Sequence, residues 1–171
     1  MDERNPIGRA GTDNPAGRQS EMERLRLVVI HGYHQLGTDC LHGETVEQVF
    51  LESGAGEFPM RLSPTGLLIV DCLSRHRRMP LSAPHIERIF SSDPFYLRHG
   101  ANVLSSNRRA VRPKRASIKV YIQRIRVQLG KALSEAGLCV RPERILVSET
   151  TDSNVVVYWL KASVDFRHRQ C

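Results

Sequence analysis

Lys114–Ala136, KRASIKVYIQRIRVQLGKALSEA, is the stretch from which the fold can be read outward. Ile118, Ile122, Ile125, Leu129 and Leu133 recur at helical spacing and predict one narrow apolar stripe along a helix. At about 100° per residue, Lys119, Val120, Gln123, Arg124 and Val127 fall on the opposite side. A helix of this kind docks by its isoleucines and offers cations, an amide and small aliphatic groups outward. That combination suits the edges of base pairs in a major groove.

Charge placement points the same way. The chain carries 25 Lys and Arg against 18 Asp and Glu, a formal charge of +7. Between Pro94 and Ser134 there are ten basic residues and no acidic one, so the remainder of the chain is slightly acidic overall. A positive charge concentrated in this way is the footprint of a polyanion partner, nucleic acid before an acidic protein or a membrane surface. A helix face that is merely solvated would interleave Glu with Lys and Arg as i,i+4 pairs, and this stretch has no acid to do so.

At 171 residues the chain suits one domain with appended segments. No apolar run approaches the ~18 residues that span a bilayer, and residues 1–20 lack the apolar core of a secretory signal. Cys40, Cys72, Cys139 and Cys171 form no CxxC pair, which fits reduced thiols in a cytoplasm.

Residues 1–20, rich in Gly, Pro, Asn and Asp, read as a disordered leader. Residues 21–62 hold three short strands: Leu25–Ile30, then Val46–Leu51 and Phe58–Leu62 on either side of the turn Ser53-Gly54-Ala55-Gly56. Between the first two lies a polar loop in which His31, His34, Cys40 and His42 crowd together. These are zinc-ligand types, but H-x2-H-x5-C-x-H matches no mechanically justified spacing, so no metal and no cofactor is expected.

Ser63–His76 opens with a serine cap and Pro64 at the first helical position. Its LLIV-CL run is apolar nearly all round, which makes it the central helix and Cys72 a core residue rather than a nucleophile. Ser82–Phe90 repeats the cap and early proline, and places Ile86, Ile89 and Phe90 on one face. His85 and Glu87, two apart on that helix, do not face each other as an acid–base pair. The connection 91–113 is long and carries Arg108, Arg109 and Arg112 toward the basic helix. After Gly137, a natural helix stop, Arg144–Thr150 and Val155–Lys161 flank a polar tip and predict a β-hairpin. Residues 163–171 read as a basic, frayed tail.

A small sheet, three helices with a basic third and a closing hairpin are the order of a winged helix-turn-helix. At residue level the chain resembles the effector domain of the OmpR/PhoB family of bacterial response regulators. Leu62-Ser63-Pro64-Thr65 with Leu67, Ile69, Val70, Cys72 and Leu73 looks like that family's first-helix signature. Leu81-Ser82 through Ile86, Ile89 and Phe90 looks like its second helix, and Ser117–Leu129 like its recognition helix. The likeness covers about residues 46–162, and 63–162 would be the winged-helix domain.

The resemblance implies an α+β fold: a small N-terminal antiparallel sheet, three helices and a C-terminal β-hairpin wing. It implies a cytoplasmic, nucleoid-associated transcription regulator, not an enzyme, with double-stranded DNA as partner. RNA polymerase and a second copy on direct repeats would be further partners, and no membrane is involved. DNA contacts would come from Ser117, Lys119, Tyr121, Gln123, Arg124 and Arg126, with Lys114, Arg115, Arg108, Arg109 and Arg112 on the backbone and Thr151 and Asn154 on the wing. Gln123 suits adenine and Arg124 guanine, as bidentate pairs. Arg126, near the edge of the apolar stripe, is expected to hold phosphate or brace the fold, and the Tyr121 hydroxyl to reach phosphate.

The chain departs from the family at Gly66, where a glutamate would complete the capping box. It departs again in the longer connection before the basic helix and at Asp152-Ser153-Asn154 of the hairpin tip. The residues before 46 are too few for a phosphoacceptor receiver, so phosphorylation control of that kind is not expected. The competing expectation is a nucleic-acid binder of the RNA or nucleoid type that uses the same face without reading bases. A zinc hydrolase built on the histidine cluster stands behind both, because no carboxylate pair or nucleophile–base motif supports it.

Overall fold

The computed structural model describes residues 24–36, 41–97 and 113–169, an α+β arrangement of two sheets and the helices between them. Strands β1 (Arg26–Leu36), β2 (Leu41–Ser53) and β3 (Gly56–Met60) form an antiparallel meander. The β2–β3 turn is the glycine-rich one expected at 53–56, with Gly56 at φ 133°. The first two strands run further than their β-branched segments. In the stretch read as a polar loop, residues 31–36 and 41–43 instead continue the two strands, and His34 pairs with Gly43 and Gln35 with His42. Ladder hydrogen bonds along the hairpin satisfy the backbone there whatever the side chains prefer.

One irregularity keeps this hairpin in phase. Ile30 pairs with Gln48 but His31 with Val46, so Glu47 is an extra residue on β2. Such a bulge resets the alternation of faces. Val46 thereby joins Val49 and Leu51 on the buried face, opposite Leu27 and Val29.

Helix α1 (Pro64–Arg75) starts where the serine–proline signal puts it: the Ser63 hydroxyl accepts from the Gly66 N–H at 3.2 Å. Leu68–Leu73 are all buried, so this is the central helix. The two-residue strand β4 (Leu81–Ser82) leads into α2 (Ala83–Ser92), capped by Ser82, which accepts from the His85 N–H at 3.4 Å. A helical turn at 94–97 follows, and Tyr96 is buried there. Helix α3 (Arg115–Glu135) comes next, then a 3-10 turn (Pro142–Arg144) and the hairpin of β5 (Leu146–Thr150) and β6 (Val156–Leu160). Strand β4 pairs with β6, giving a second sheet of order β4-β6-β5.

The largest correction is at the C-terminus. Ser163–Arg169, read as a frayed basic tail, is strand β7 and pairs in parallel with β1, from Arg26↔Ser163 to Gly32↔Arg169. The first sheet is therefore mixed, of order β3-β2-β1-β7, and not purely antiparallel. SVDFRHR alternates with period two. Val164, Phe166 and His168 fall on the face toward the helices, whereas Asp165, Arg167 and Arg169 fall on the other. There Arg167 is bonded to Glu52, Glu57 and Asp165, and Arg169 lies 3.5 Å from Glu47. The cations of this segment thus meet carboxylates of the sheet's outer face. One apolar cluster joins β1–β3, all three helices and the second sheet.

Candidate nucleic-acid interface

Helix α3 is fixed at both ends and along one side. Its N-cap, Lys114, makes no side-chain capping bond; instead Glu87 Oε1 of α2 accepts from the Arg115 N–H at 3.4 Å. At its C-terminus Gly137, at φ 71°, donates to Ser134 O, and Leu138 donates to Leu133 O, the paired bonds of a Schellman stop. Between these ends Ile118, Ile122, Ile125, Leu129 and Leu133 are all buried, as their spacing predicts. Burying each such side chain is worth about 1.5–3 kcal/mol, which sets the rotation of the helix about its axis.

That rotation decides what is left outside. Lys114, Arg115, Lys119, Gln123, Arg124 and Lys131 are exposed. Val120 and Val127 are exposed with them, at 49% and 57%. No acidic residue occurs between Arg115 and Lys131. Tyr121 is half-buried against the core and carries Arg124 on its ring, the guanidinium carbon 5.9 Å from the centroid. Ser117 is half-buried at the start of the helix.

Arg126 does not belong to this face. It is only 7% exposed. Its Nε and Nη2 donate to Leu146 O at 3.1 and 2.9 Å, and Nη2 also donates to Ser148 Oγ at 2.9 Å. The guanidinium is occupied in tying α3 to β5, so of the two roles expected for Arg126 the brace is the one observed. Its position at the edge of the apolar stripe had pointed there.

The β5–β6 tip presents Thr151, Asp152, Ser153 and Asn154, all exposed. Thr151 Oγ1 accepts from the Val155 N–H at 3.3 Å, the Thr151 carbonyl accepts from the Asn154 N–H at 2.8 Å, and Asn154 takes a positive φ of 58°. The threonine hydroxyl thus helps to shape the turn, while the Asn154 amide stands in solvent. Arg108, Arg109 and Arg112 lie outside the described residues.

Sequence reasoning missed a buried polar cluster centred on α1. Asp71, fully buried on α1, accepts from His31 Nε2 at 2.8 Å, Arg75 Nε at 2.9 Å and the Tyr96 hydroxyl at 2.8 Å. Burial pushes the Asp71 carboxyl up, but the His31 bond, the Arg75 charge and the Tyr96 hydroxyl outweigh it and hold the group below its ordinary value of 3.8. Tyr96 is pushed up by burial and by the Asp71 charge. Burial and the adjacent Asp71 push the Cys72 thiol up to about 12, as befits an inert core cysteine. The cluster pins β1, α1 and the 94–97 turn together. Its one signal in the sequence is an aspartate inside an otherwise apolar helical run.

His31, the first of the four candidate zinc ligands, is thus engaged with Asp71 and lies edge-on to Phe95 at a centroid distance of 6.3 Å. His34 and His42 lie in β1 and β2, and Cys40 falls outside the described residues. Among the described residues no three potential ligands converge, and no helix is long and apolar enough to cross a membrane. His85 and Glu87 diverge: Nδ1 of His85 lies 3.1 Å from Ser82 Oγ, while Glu87 reaches the start of α3.

Comparison with protein-family models, with curated proteins and with solved structures finds no match for this chain. Function is therefore argued from the surface itself.

Proposed function

We propose that the protein is a sequence-specific, double-stranded-DNA-binding transcription regulator built as a winged helix-turn-helix, with α3 in the major groove and the β5–β6 hairpin as the wing. The observation that carries this reading is the outward face of α3, where Lys119, Gln123 and Arg124 are exposed and no acid lies between Arg115 and Lys131. The short strand between α1 and α2 that pairs with the hairpin supports it further, because this joins wing and helices into one unit.

In this reading Arg124 and Gln123 hydrogen-bond base edges, while Lys114, Arg115 and Lys119 sit on phosphates and fix the register. Val120 and Val127 stand two helical turns apart, about 10 Å along the axis, roughly three base-pair steps. Exposed aliphatic groups at that spacing match thymine methyls in the groove. The protein would act in the cytoplasm on the nucleoid, alone or as two copies on direct repeats, with RNA polymerase as a further partner.

The test is selection of duplexes from a random pool, followed by equilibrium binding of a selected and a scrambled duplex. A tight specific complex is expected, with affinity falling about 10³–10⁵-fold between 50 and 200 mM salt if about 6–10 phosphates are contacted. Failure of the pool to converge, with equal affinity for all duplexes or stronger affinity for RNA, would favour a nucleic-acid binder that does not read sequence.

A further inference from the structure

A second cationic surface is lined by no residue of α3. The last turn of α1, the residues after it and strand β7 enclose an open cleft of about 500 Å³, whose lining includes Ser74, Arg77, Arg78, Met79 and Phe166. The volume falls in the range of small-molecule sites, about 300–1,000 Å³. Charge and apolar surface meet in it.

The first is charge. Arg77 and Arg78 are exposed, and among the described residues neither makes a hydrogen bond or ion pair. Asp71, the nearest buried acid, is already held by His31, Arg75 and Tyr96, and Asp165 belongs to the opposite face of β7, where it meets Arg167. The α1 C-terminus contributes partial negative charge of about half a unit, less than the two guanidinium groups.

The second is apolar surface. Met79 and Phe166, at 59% and 39%, are two of the few large hydrophobic side chains left exposed, and both line this one cleft. Beneath them Ser74 Oγ is buried without a hydrogen-bond partner among the described residues. A monomeric surface scatters such side chains; here they converge with unpaired cations.

We propose that this cleft is a binding site for a small organic anion that carries a planar apolar ring, a carboxylate or phosphate ester of an aromatic group. The anion pairs with Arg77 and Arg78 through charge-assisted hydrogen bonds. The ring packs on Phe166 and under the polarizable thioether of Met79. Neither element suffices alone: inorganic phosphate lacks the ring, and a neutral aromatic lacks the charge.

The test uses the full chain labelled with ¹³C at methionine methyls, titrated with phenyl phosphate, inorganic phosphate and benzyl alcohol. The Met79 signal reports the cleft, and that of Met60, buried in the core, is the internal reference. Phenyl phosphate is expected to move the Met79 signal saturably and to bind at least about tenfold more tightly than either partial probe. Arg77→Ala with Arg78→Ala, both exposed, should weaken it by at least about tenfold while leaving the Met60 signal in place. Phe166→Ala should weaken phenyl phosphate but not inorganic phosphate. Equal binding of phenyl and inorganic phosphate, an unmoved Met79 signal, or a response that survives loss of both arginines would overturn the proposal. DNA binding by α3 is measured separately and stands or falls without it.

Discussion

Arg124 and Arg126, two residues apart on one helix, have opposite fates because 200° of rotation separates them. Arg124 points outward with no acid paired to it among the described residues, whereas Arg126 turns inward and gives its hydrogen bonds to Leu146 and Ser148. Arg126→Ala should therefore lower stability by about 1.5–3 kcal/mol in urea denaturation, the cost of leaving a carbonyl and a hydroxyl without a charged donor. Arg124→Ala should stay within about 0.5 kcal/mol of the parent, as exposed substitutions do. Equal losses for the two would show that the assignment of one as brace and the other as reader is wrong. Asp71 makes a second residue-scale prediction. Its carboxyl is held below its ordinary value in the fold, so the ionised group stabilises the native state above that value. This stabilisation fades as pH falls through the lowered folded value, because the unfolded chain takes up the proton first. Asp71→Asn should be less stable at neutral pH and should lose less on acidification below about pH 4, where an unfolded aspartate titrates. Parallel acid denaturation of the two proteins would remove Asp71 from that role.

At the scale of elements, legibility followed the strength of the periodic signal. Helix α3 was readable because five apolar residues fall on one stripe over nearly its whole length, and α1 and α2 because each begins with serine and an early proline. Strand β7 was hidden by composition. Arg167 and Arg169 suggest solvent, and the carboxylates of the sheet's outer face explain why those two cations are at home in a strand. The long ends of β1 and β2 were equally hidden, since histidine, glycine and glutamine carry no strand preference and pairing across the hairpin supplies what propensity lacks. The outward face of α3 was legible, as the set Lys119, Val120, Gln123, Arg124 and Val127 is exposed. The Asp71 cluster was not, because its members come from residues 31, 71, 75 and 96 and only the fold unites them. The two exposed valines of α3 give a prediction that belongs to the element. Replacing thymine by deoxyuridine throughout a selected duplex removes only the 5-methyl groups. Each methyl in contact should cost about fourfold in affinity, near 0.8 kcal/mol. Val120→Ala with Val127→Ala should erase that difference between the two duplexes. A deoxyuridine duplex bound as well as its thymine counterpart would place the valines away from thymine.

Over the whole molecule, charge is sorted by surface. The outer face of the first sheet pairs Arg167 and Arg169 with carboxylates, while the outward face of α3 carries cations with no acid on the same stretch. The outward face of α3 thereby carries a local positive field, as residues 94–134 hold ten basic residues and no acid. On the winged-helix reading this sorting lets the chain approach DNA in one orientation, with the β5–β6 hairpin beside α3. The measurement that probes this most directly is the ratio of affinities for a selected and a scrambled duplex, taken for the parent and for Arg124→Ala at one salt concentration. If α3 reads the groove, the parent shows a large ratio, and the variant loses about 1–3 kcal/mol on the selected duplex while its scrambled-duplex affinity falls much less. If the variant weakens both duplexes equally and leaves the ratio unchanged, Arg124 contributes only charge, and the claim that this helix face recognises sequence is contradicted.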